Sequence, residues 1–138
     1  MLRVIFFGTP TIAAELLADL LEQHVCEIVG VVTRPDKPKG RSKKPVFSPV
    51  KDLAQARNLP LLQANRCHQP ESLEWLRALK ADIFLVVAFG EILRAQVLEI
   101  PPQGCWNVHA SLLPAYRGAA PMQWALRNGD PVSGICLQ

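Results

Sequence analysis

The sequence predicts an α/β fold in which helices cover both faces of a mostly parallel sheet. Short, continuous apolar runs alternate along the chain with segments whose apolar residues recur at helical spacing. The runs lack polar alternation, as expected of strands that are buried on both faces. A chain of 138 residues is long enough for one domain with a hydrophobic core.

The first strand and helix are predicted near the amino terminus. Residues 3–7 form an apolar run that ends at Gly8, where we expect a tight turn. Thr11 is placed to cap the helix that follows. The apolar positions of that helix are Ile12, Leu16, Leu17, Leu20 and Leu21.

The other elements follow in order. Strands are predicted at residues 27–33, 59–62, 83–89 and 104–111, and a sixth at 133–137 is still in progress near the chain end. Helices are predicted from Ser48 or Pro49 to residue 58, and at residues 70–80, 91–99 and 121–128. Trp75 and Trp124 lie on the apolar faces of two of these helices, so we expect both in the core.

The alternation of strands and helices is typical of a Rossmann-like fold. Such sheets bind ligands outside the carboxyl ends of their strands, near the point where the strand order reverses. We therefore expect a site where Gly8, Thr33, Phe89–Gly90 and His109–Ser111 come together.

Composition argues against several classes of protein. No apolar stretch approaches the ~18 residues needed to cross a bilayer, and the amino terminus lacks the apolar length and cleavage site of a signal peptide. The four cysteines lie far apart, with no Cys-x-x-Cys pair and no His at metal-ligand spacing. We therefore expect reduced thiols, no metal site and a cytoplasmic protein without membrane contact.

The positive charge is concentrated in one segment. Between Thr33 and Pro49 there are six cations and one anion, Asp36, so this segment carries +5 while the rest of the chain carries −2. The cations are Arg34, Lys37, Lys39, Arg41, Lys43 and Lys44. Such a segment is either a solvated loop or an arm that binds phosphates.

A polar face interrupts the fifth predicted strand. Asn107, His109 and Ser111 occupy alternate positions, so their side chains are expected to point the same way, about 6.5–7 Å apart. An Asn amide can donate to a developing oxyanion, and a His can exchange a proton near neutral pH. Spacing alone leaves open that His109 is only a hydrogen-bonded residue beside a proline-rich turn.

Two glycine-containing segments are given structural interpretations. Gly8-Thr9-Pro10 has one glycine where a dinucleotide loop needs three, and Pro10 lacks a backbone donor, so the segment does not predict an NAD site. Gly118 is expected to bend the chain, while Arg117 pairs locally; the alternative is that Arg117 presents a cation to the substrate side.

Four stretches resemble a known family. They are FFGTP (6–10), TRPDKPKGRSKKPVFSPVK (33–51), VVAFGEIL (86–93) and NVHASLLPAYRGAAP (107–121). The last is similar to the signature of enzymes that transfer a formyl group from 10-formyltetrahydrofolate. Together the four resemble the methionyl-tRNA formyltransferases, and the likeness covers all 138 residues. It implies formyl transfer to the amino group of methionyl-initiator-tRNA for translation initiation, without a metal or nucleotide cofactor.

The resemblance also assigns roles by position. His109 would be the general acid–base and Asn107 an oxyanion donor. The residues implied to contact folate are Ser111, Leu112, Leu113 and Pro114, with Phe89, Gly90, Ile92 and Leu93 beside the pterin. The basic segment would insert against the acceptor stem of initiator tRNA, with Arg41, Lys43 and Lys44 as contacts and Arg34, Lys37 and Lys39 steering.

The family pattern implies further parts beyond Gln138. They are a catalytic Asp and a carboxyl-terminal tRNA-binding domain. On this interpretation residues 1–138 are the N-terminal part of a formyltransferase catalytic domain. We expect a monomer that binds folate weakly and turns over poorly.

Two alternatives remain open. A glycinamide ribonucleotide or amino-sugar formyltransferase, or a formyltetrahydrofolate hydrolase, would share the Asn-x-His pair, but a small substrate gives little reason for a long basic segment. A non-catalytic RNA-binding module would retain that segment, but the intact pair of Asn107 and His109 argues against it.

Overall fold

The computed structural model describes residues 1–38 and 44–138. These form two compact units, Met1–Cys105 and Trp106–Gln138. The strands are β1 (Arg3–Gly8), β2 (Glu27–Thr33), β3 (Lys37–Pro38), β4 (Pro45–Val46), β5 (Leu61–Gln63), β6 (Ile83–Val87), β7 (Cys105–His109) and β8 (Cys136–Leu137). The helices are α1 (Thr11–Gln23), α2 (Pro49–Ala56), α3 (Pro70–Ala78), α4 (Ala95–Leu98) and α5 (Pro121–Arg127).

The sheet of the first unit is built around β1. This strand pairs in parallel with β2 on one side and with β6 on the other, and β2 pairs in parallel with β5. The strand order β5-β2-β1-β6 differs from the chain order, so helices must connect the parallel strands. The predicted α/β fold with a mostly parallel sheet is confirmed.

Helices cover both faces of this sheet. Phe7 shares a buried cluster with Leu73 and Leu76 of α3. The next residue, Gly8, approaches α1 so closely that an added Cβ would lie 2.7 Å from the Cβ of Ala13. Because successive residues of a strand face opposite sides, α1 and α3 lie on opposite faces.

Aromatic rings fill the centre of the core on the α3 side. The Phe7 ring lies 5.1 Å from that of Phe84 and 5.5 Å from that of Phe89, the latter edge to face. Trp75 packs partly buried against the same cluster, as predicted. Phe84 of β6 and Phe89 in the loop after it both pack on Phe7 of β1, and these contacts hold that loop in place.

The second unit is organised by an antiparallel strand pair. β7 and β8 pair with Val108 opposite Leu137 and His109 opposite Cys136. The backbone N–H of Asn107 donates to the carbonyl oxygen of Gln138 at 2.7 Å, and the N–H of Gln138 donates back at 2.9 Å. The sixth predicted strand is thus present, although it covers only Cys136–Leu137.

Two predictions about the first turn and helix are wrong. α1 begins at Thr11 itself, with Pro10 in the cap position and no side-chain cap bond. Its buried positions are Ala13 and Leu17, whereas Ile12 is exposed. Gly8 is the last residue of β1 and has no positive φ. Glycine is needed there for close packing, because an added Cβ would also lie 2.9 Å from the carbonyl oxygen of Val87.

Other differences lie in the loops and helix ends. The predicted helix at 91–99 is reduced to Ala95–Leu98, and Trp124, expected in the core, is exposed beside Arg127. The segment expected to be a loop contains the antiparallel pair of β3 and β4. The helix predicted from Ser48 or Pro49 begins as expected, because the Ser48 hydroxyl accepts from the N–H of Lys51 at 3.0 Å.

Candidate active site

Two clefts contain seven of the predicted site residues that the structure describes. In the second unit, a cleft of about 360 Å³ lies around β7 and the turn that follows it. It is lined by Asn107, His109, Leu113, Arg117, Gly118 and Gln138. Asn107 and His109 therefore share one wall, as their spacing on a strand predicts.

A backbone hydrogen bond orients the His109 ring. Its Nε2 lies 2.9 Å from the carbonyl oxygen of Tyr116, which can only accept, so Nε2 carries a proton. In the neutral ring the lone pair is then on Nδ1, which is able to accept a further proton. Asn107 is held through its backbone by Gln138, leaving its amide group for other partners.

Tyr116 supports this arrangement from the far side of the turn. Its hydroxyl donates to Asp130 and accepts from the Nδ2 of Asn128 at 3.0 Å. The hydrogen bond to Asp130 raises the pKa of Tyr116 above its ordinary value. The residue that holds His109 is thus itself fixed, so the position of the imidazole depends on residues 128–130.

The predicted polar face does not extend to Ser111. β7 ends at His109, and the Ser111 side chain is fully buried, where its hydroxyl donates to the carbonyl oxygen of Ala115 at 2.7 Å. The strand period of two no longer applies after the strand has ended. Ser111 stabilises the turn here instead of lining the cleft.

The rest of the predicted folate motif is split. Leu113 lines the cleft, Leu112 is 47% exposed, and the peptide bond between Leu113 and Pro114 is cis. The backbone N–H of Leu113 donates to the sulfur of Cys136 at 3.3 Å. The turn is therefore attached to β8 by this contact.

Arg117 faces the cleft instead of pairing locally. It lines the wall with Gly118, and no ion pair of Arg117 is present among residues 1–38 and 44–138. Gly118 bends the chain as predicted, with a φ of 85° that suits glycine. The expectation of a local partner for Arg117 is wrong, and a cation is available beside His109.

The second cleft lies in the first unit, at the carboxyl ends of β1, β2 and β6. Its volume is about 470 Å³. The lining residues are Thr9, Pro10, Arg34, Pro35, Lys37, Val46, Ser48, Pro49, Ala88, Phe89 and Gly90. The Thr9 hydroxyl donates to the carbonyl oxygen of Phe89 at 2.8 Å, which joins the loops after β1 and β6.

The four residues assigned to the pterin occupy different environments. Phe89 is 2% exposed and belongs to the core, while Gly90 lines the cleft with a φ of 95°. Leu93 packs partly buried against the core, and Ile92 is 91% exposed. Phe89 and Gly90 contribute to a cleft wall, and Ile92 is open to solvent.

The predicted tRNA-binding cations also differ in their surroundings. Lys37 and Lys44 are exposed. Arg34 is partly buried, donates to the carbonyl oxygen of Asn65 at 2.8 Å and pairs with Glu91 at 3.6 Å. The remaining three, Lys39, Arg41 and Lys43, lie outside the described residues. Arg34 is therefore engaged within the fold, while Lys37 and Lys44 are at the surface.

Neither the predicted Gly8 nor Thr33 lines the cleft of the first unit. Thr33 is fully buried and its hydroxyl is hydrogen-bonded to that of Ser48 at 2.7 Å. Across the described part of the chain, no group of three His, Cys, Asp or Glu side chains is placed to bind a metal ion. No described helix is both long enough and apolar enough to cross a membrane.

Sequence reasoning missed several residues at or beside these clefts. Thr9, Glu91, Tyr116 and Lys51 make tertiary contacts that no spacing rule signals. Asp36 had one signal, since it is the only acidic residue in a strongly basic segment.

Comparison with known proteins places the chain in a family. The family described as formyl transferase matches residues 2–138. Methionyl-tRNA formyltransferase of Chlamydia caviae is 55% identical over 133 residues, which cover 96% of this chain and 41% of that protein. The protein of the same name from Geobacter sulfurreducens is 52% identical over 134 residues, covering 97% and 42%.

Solved structures agree in fold. Phosphoribosylglycinamide formyltransferase from Bacillus halodurans has a TM-score of 0.77 at 20% identity, covering 99% of this chain and 70% of that one. A formyltetrahydrofolate deformylase from Pseudomonas syringae has a TM-score of 0.74 at 18% identity, covering 99% and 45%. The chain belongs to the formyl transferase family. It spans about two fifths of the length of the two curated relatives named above.

Proposed function

We propose that the protein containing this chain transfers a formyl group from 10-formyltetrahydrofolate to the amino group of methionyl-initiator-tRNA. The observation that carries the proposal is the pairing of Asn107 and His109 on the wall of one cleft. The chain is also about half identical to relatives named methionyl-tRNA formyltransferase. Translation initiation would be the process served, in the cytoplasm.

The chemistry follows from the two side chains. The amine nitrogen attacks the formyl carbon, and Asn107 donates from its amide to the formyl oxygen as negative charge develops there. His109 accepts the proton released by the amine and returns one to the departing folate nitrogen. One C–N bond forms and one breaks, so no electron acceptor or metal is required by this scheme.

The binding assignments belong to the same proposal. The folate would contact Ser111, Leu112, Leu113 and Pro114, and Phe89, Gly90, Ile92 and Leu93. For Ser111 the contribution would be indirect, because its side chain is fully buried and lines neither cleft. The tRNA would contact Arg41, Lys43 and Lys44, with Lys37 and Lys39 steering. Arg34 would steer as well, from its position beside Glu91.

The test is formylation of methionyl-initiator-tRNA by the full gene product that contains this chain. His109→Ala is expected to lower kcat by about 10²–10⁴-fold, the usual contribution of a general acid–base group. His24→Asn is the matched control, because His24 is exposed with a φ of 52°, which Asn tolerates.

The outcomes separate the role of the residue from the choice of substrate. Equal rates for His109→Ala and the unmodified protein would remove His109 from the mechanism. No formylation by the unmodified protein would reject methionyl-tRNA as the acceptor. Glycinamide ribonucleotide would then be tried with the same donor.

A further inference from the structure

Lys51 is a lysine with almost no exposed surface. It lies in the first turn of α2 and is 7% exposed. Its ammonium group donates to Oδ2 of Asp36 at 2.8 Å and lies 3.6 Å from the centre of the Phe47 ring. A buried ammonium group needs such partners, because an unpaired charge is costly to remove from water.

The two partners of Lys51, Asp36 and Phe47, lie within the basic segment, next to the strands β3 and β4. β3 and β4 pair antiparallel, with Lys37 opposite Val46. Asp36 precedes β3 and Phe47 follows β4, so they occupy the next position of the same pairing. We call residues 36–38 and 45–47 the stem. Lys51 therefore contacts both sides of the stem, Asp36 on the β3 side and Phe47 on the β4 side.

Further hydrogen bonds connect Asp36 and the neighbouring Ser48 to the sheet. Oδ1 of Asp36 accepts from the Nε2 of Gln63 in β5 at 2.8 Å. The Ser48 hydroxyl accepts from the backbone N–H of Lys51 and is bonded to the Thr33 hydroxyl at the end of β2. The stem is thus held by α2, β2 and β5 together.

The positive charge of Lys51 is paired with the carboxylate of Asp36. Its hydrogen bond lowers the pKa of the Asp36 carboxyl below the ordinary value, and the hydrogen bond from Gln63 acts in the same direction. Asp36 is therefore ionised at neutral pH, and the two charges offset each other. Although Lys51 adjoins the basic segment in sequence, it has little surface from which to contact a phosphate.

We propose that Lys51 is a positioning residue for tRNA binding, which fixes the stem by holding Asp36 and Phe47 together. This inference rests on the proposed function, since it takes tRNA as the partner of the basic segment. Lys51 determines the direction in which the stem leaves the sheet. The exposed cations of the basic segment then contact the tRNA.

A comparison of Lys51→Met with Asp36→Asn distinguishes positioning from direct binding. If Lys51 contacted phosphate, removing the neighbouring carboxylate would free its charge and strengthen tRNA binding. If Lys51 fixes the stem, Asp36→Asn breaks the same hydrogen bond and weakens tRNA binding. The two hypotheses predict opposite signs for one substitution.

The experiment measures steady-state formylation by the full gene product. Lys51→Met and Asp36→Asn are each expected to raise KM for methionyl-tRNA roughly tenfold, as for loss of a charge-assisted hydrogen bond. KM for 10-formyltetrahydrofolate and kcat should change less than KM for methionyl-tRNA, because the proposed tRNA contacts lie on the segment that the stem carries, whereas the stem gives only Lys37 and Val46 to the cleft that contains Phe89 and Gly90. The double variant should be little worse than either single one, because both remove one interaction.

Two further variants control for charge and shape. Arg57→Met removes a positive charge close to the same helix, where Arg57 makes only a long, exposed ion pair with Glu22 at 4.0 Å, and should leave KM for methionyl-tRNA nearly unchanged. Lys51→Arg keeps the charge and should recover part of the affinity. A lower KM in Asp36→Asn, or no change in Lys51→Met, would overturn the proposal.

Limited trypsin digestion without substrates separates this inference from the proposed function. Cleavage between residues 39 and 44 should be faster in Lys51→Met and Asp36→Asn than in Arg57→Met or the unmodified protein. If the unmodified protein forms no formyl-methionyl-tRNA, the proposed function fails, and the digestion still decides whether Lys51 fixes the stem. Equal digestion of all variants would reject the anchoring role.

Discussion

Glu91 joins three parts of the first unit through one carboxylate. Its Oε1 accepts from the backbone N–H of Cys67 at 3.2 Å, its Oε2 accepts from the Cys67 thiol at 3.5 Å, and Arg34 lies 3.6 Å from Oε2. Because Cys67 is fully buried beside a negative charge, the pKa of its thiol is raised to about 12, chiefly by burial. At this site the thiol serves as a hydrogen-bond donor.

The first prediction concerns the reactivity of Cys67. At pH 9 its thiolate fraction should be roughly a thousandth, so iodoacetamide should modify it far more slowly than the partly exposed Cys136. Mass spectrometry of peptides after timed alkylation measures this difference. Denatured protein is the control, since there the two cysteines should react alike. Equal modification in the native protein would contradict the assigned environment.

The raised pKa of Cys67 also sets an alkaline limit on stability. The folded pKa of about 12 lies above the ordinary value of 9.0, so the folded state favours the neutral thiol. Its stabilising contribution is complete below pH 9 and is lost as the pH rises towards 12. Urea unfolding between these pH values should therefore show a falling free energy of unfolding.

At the level of single residues, sequence reasoning depended on pattern and missed tertiary partners. The polar alternation of Asn107 and His109 predicted their shared wall, because the strand period holds up to His109. The burial of Ser111 was not predictable, since it depends on the turn that brings the carbonyl group of Ala115 to its hydroxyl. The same applies to Glu91, whose partners lie far away in the sequence.

At the level of elements, the strands were better predicted than the helix ends. The apolar runs of β1 and β2 are continuous, so their bounds follow closely from composition. In α1, Leu16 and Leu20 form one apolar row and Leu17 and Leu21 form a second beside it, so the pattern does not show which row is buried. The helix buries the face that contains the small Ala13 and Leu17. The segment before α4 stays non-helical because Leu93 packs on the core and Glu91 bonds to Cys67.

The contact between β1 and α1 gives a prediction for Gly8. An added methyl group would meet Ala13 and the carbonyl oxygen of Val87, neither of which has a flexible end that can move away. Gly8→Ala should therefore lower the free energy of unfolding by about 1–3 kcal/mol, as for overpacked cores. Urea unfolding followed by circular dichroism measures the change.

Gly30→Ala is the matched substitution for this test. Its added methyl group would meet the ends of the Leu79 and Trp75 side chains, which can rotate away. A smaller loss than for Gly8→Ala is expected. The reverse order would show that backbone proximity is not what requires glycine at the end of β1.

At the level of the whole molecule, charge is distributed unevenly. The net charge of +3 combines +5 between Thr33 and Pro49 with −2 elsewhere. Such a separation favours non-specific attraction of a polyanion towards one side of the protein. This property was available from the sequence, whereas the ion pair between Asp36 and Lys51 is visible only in the fold.

Charge separation predicts a salt dependence for the proposed tRNA binding. Replacing Lys37 and Lys44 by Gln in the full gene product should reduce the slope of log K against log salt by about two units, one for each phosphate that is no longer neutralised. Filter binding at several salt concentrations measures the slope. Arg57, which follows α2, and Arg77 of α3 are both exposed and lie outside the segment, so they are the matched pair for control. An equal fall in slope for both pairs would reject a localised binding segment.

The position of β1 between β2 and β6 has a consequence for synthesis of the chain. β1 is made before β6, and their pairing joins residues about eighty positions apart, such as Val4 and Ile83. During synthesis, β6 must therefore emerge from the ribosome as far as Val87 before β1 can be hydrogen-bonded on both edges. Until then one edge of an apolar strand is open, and an open edge of this kind can pair with another chain.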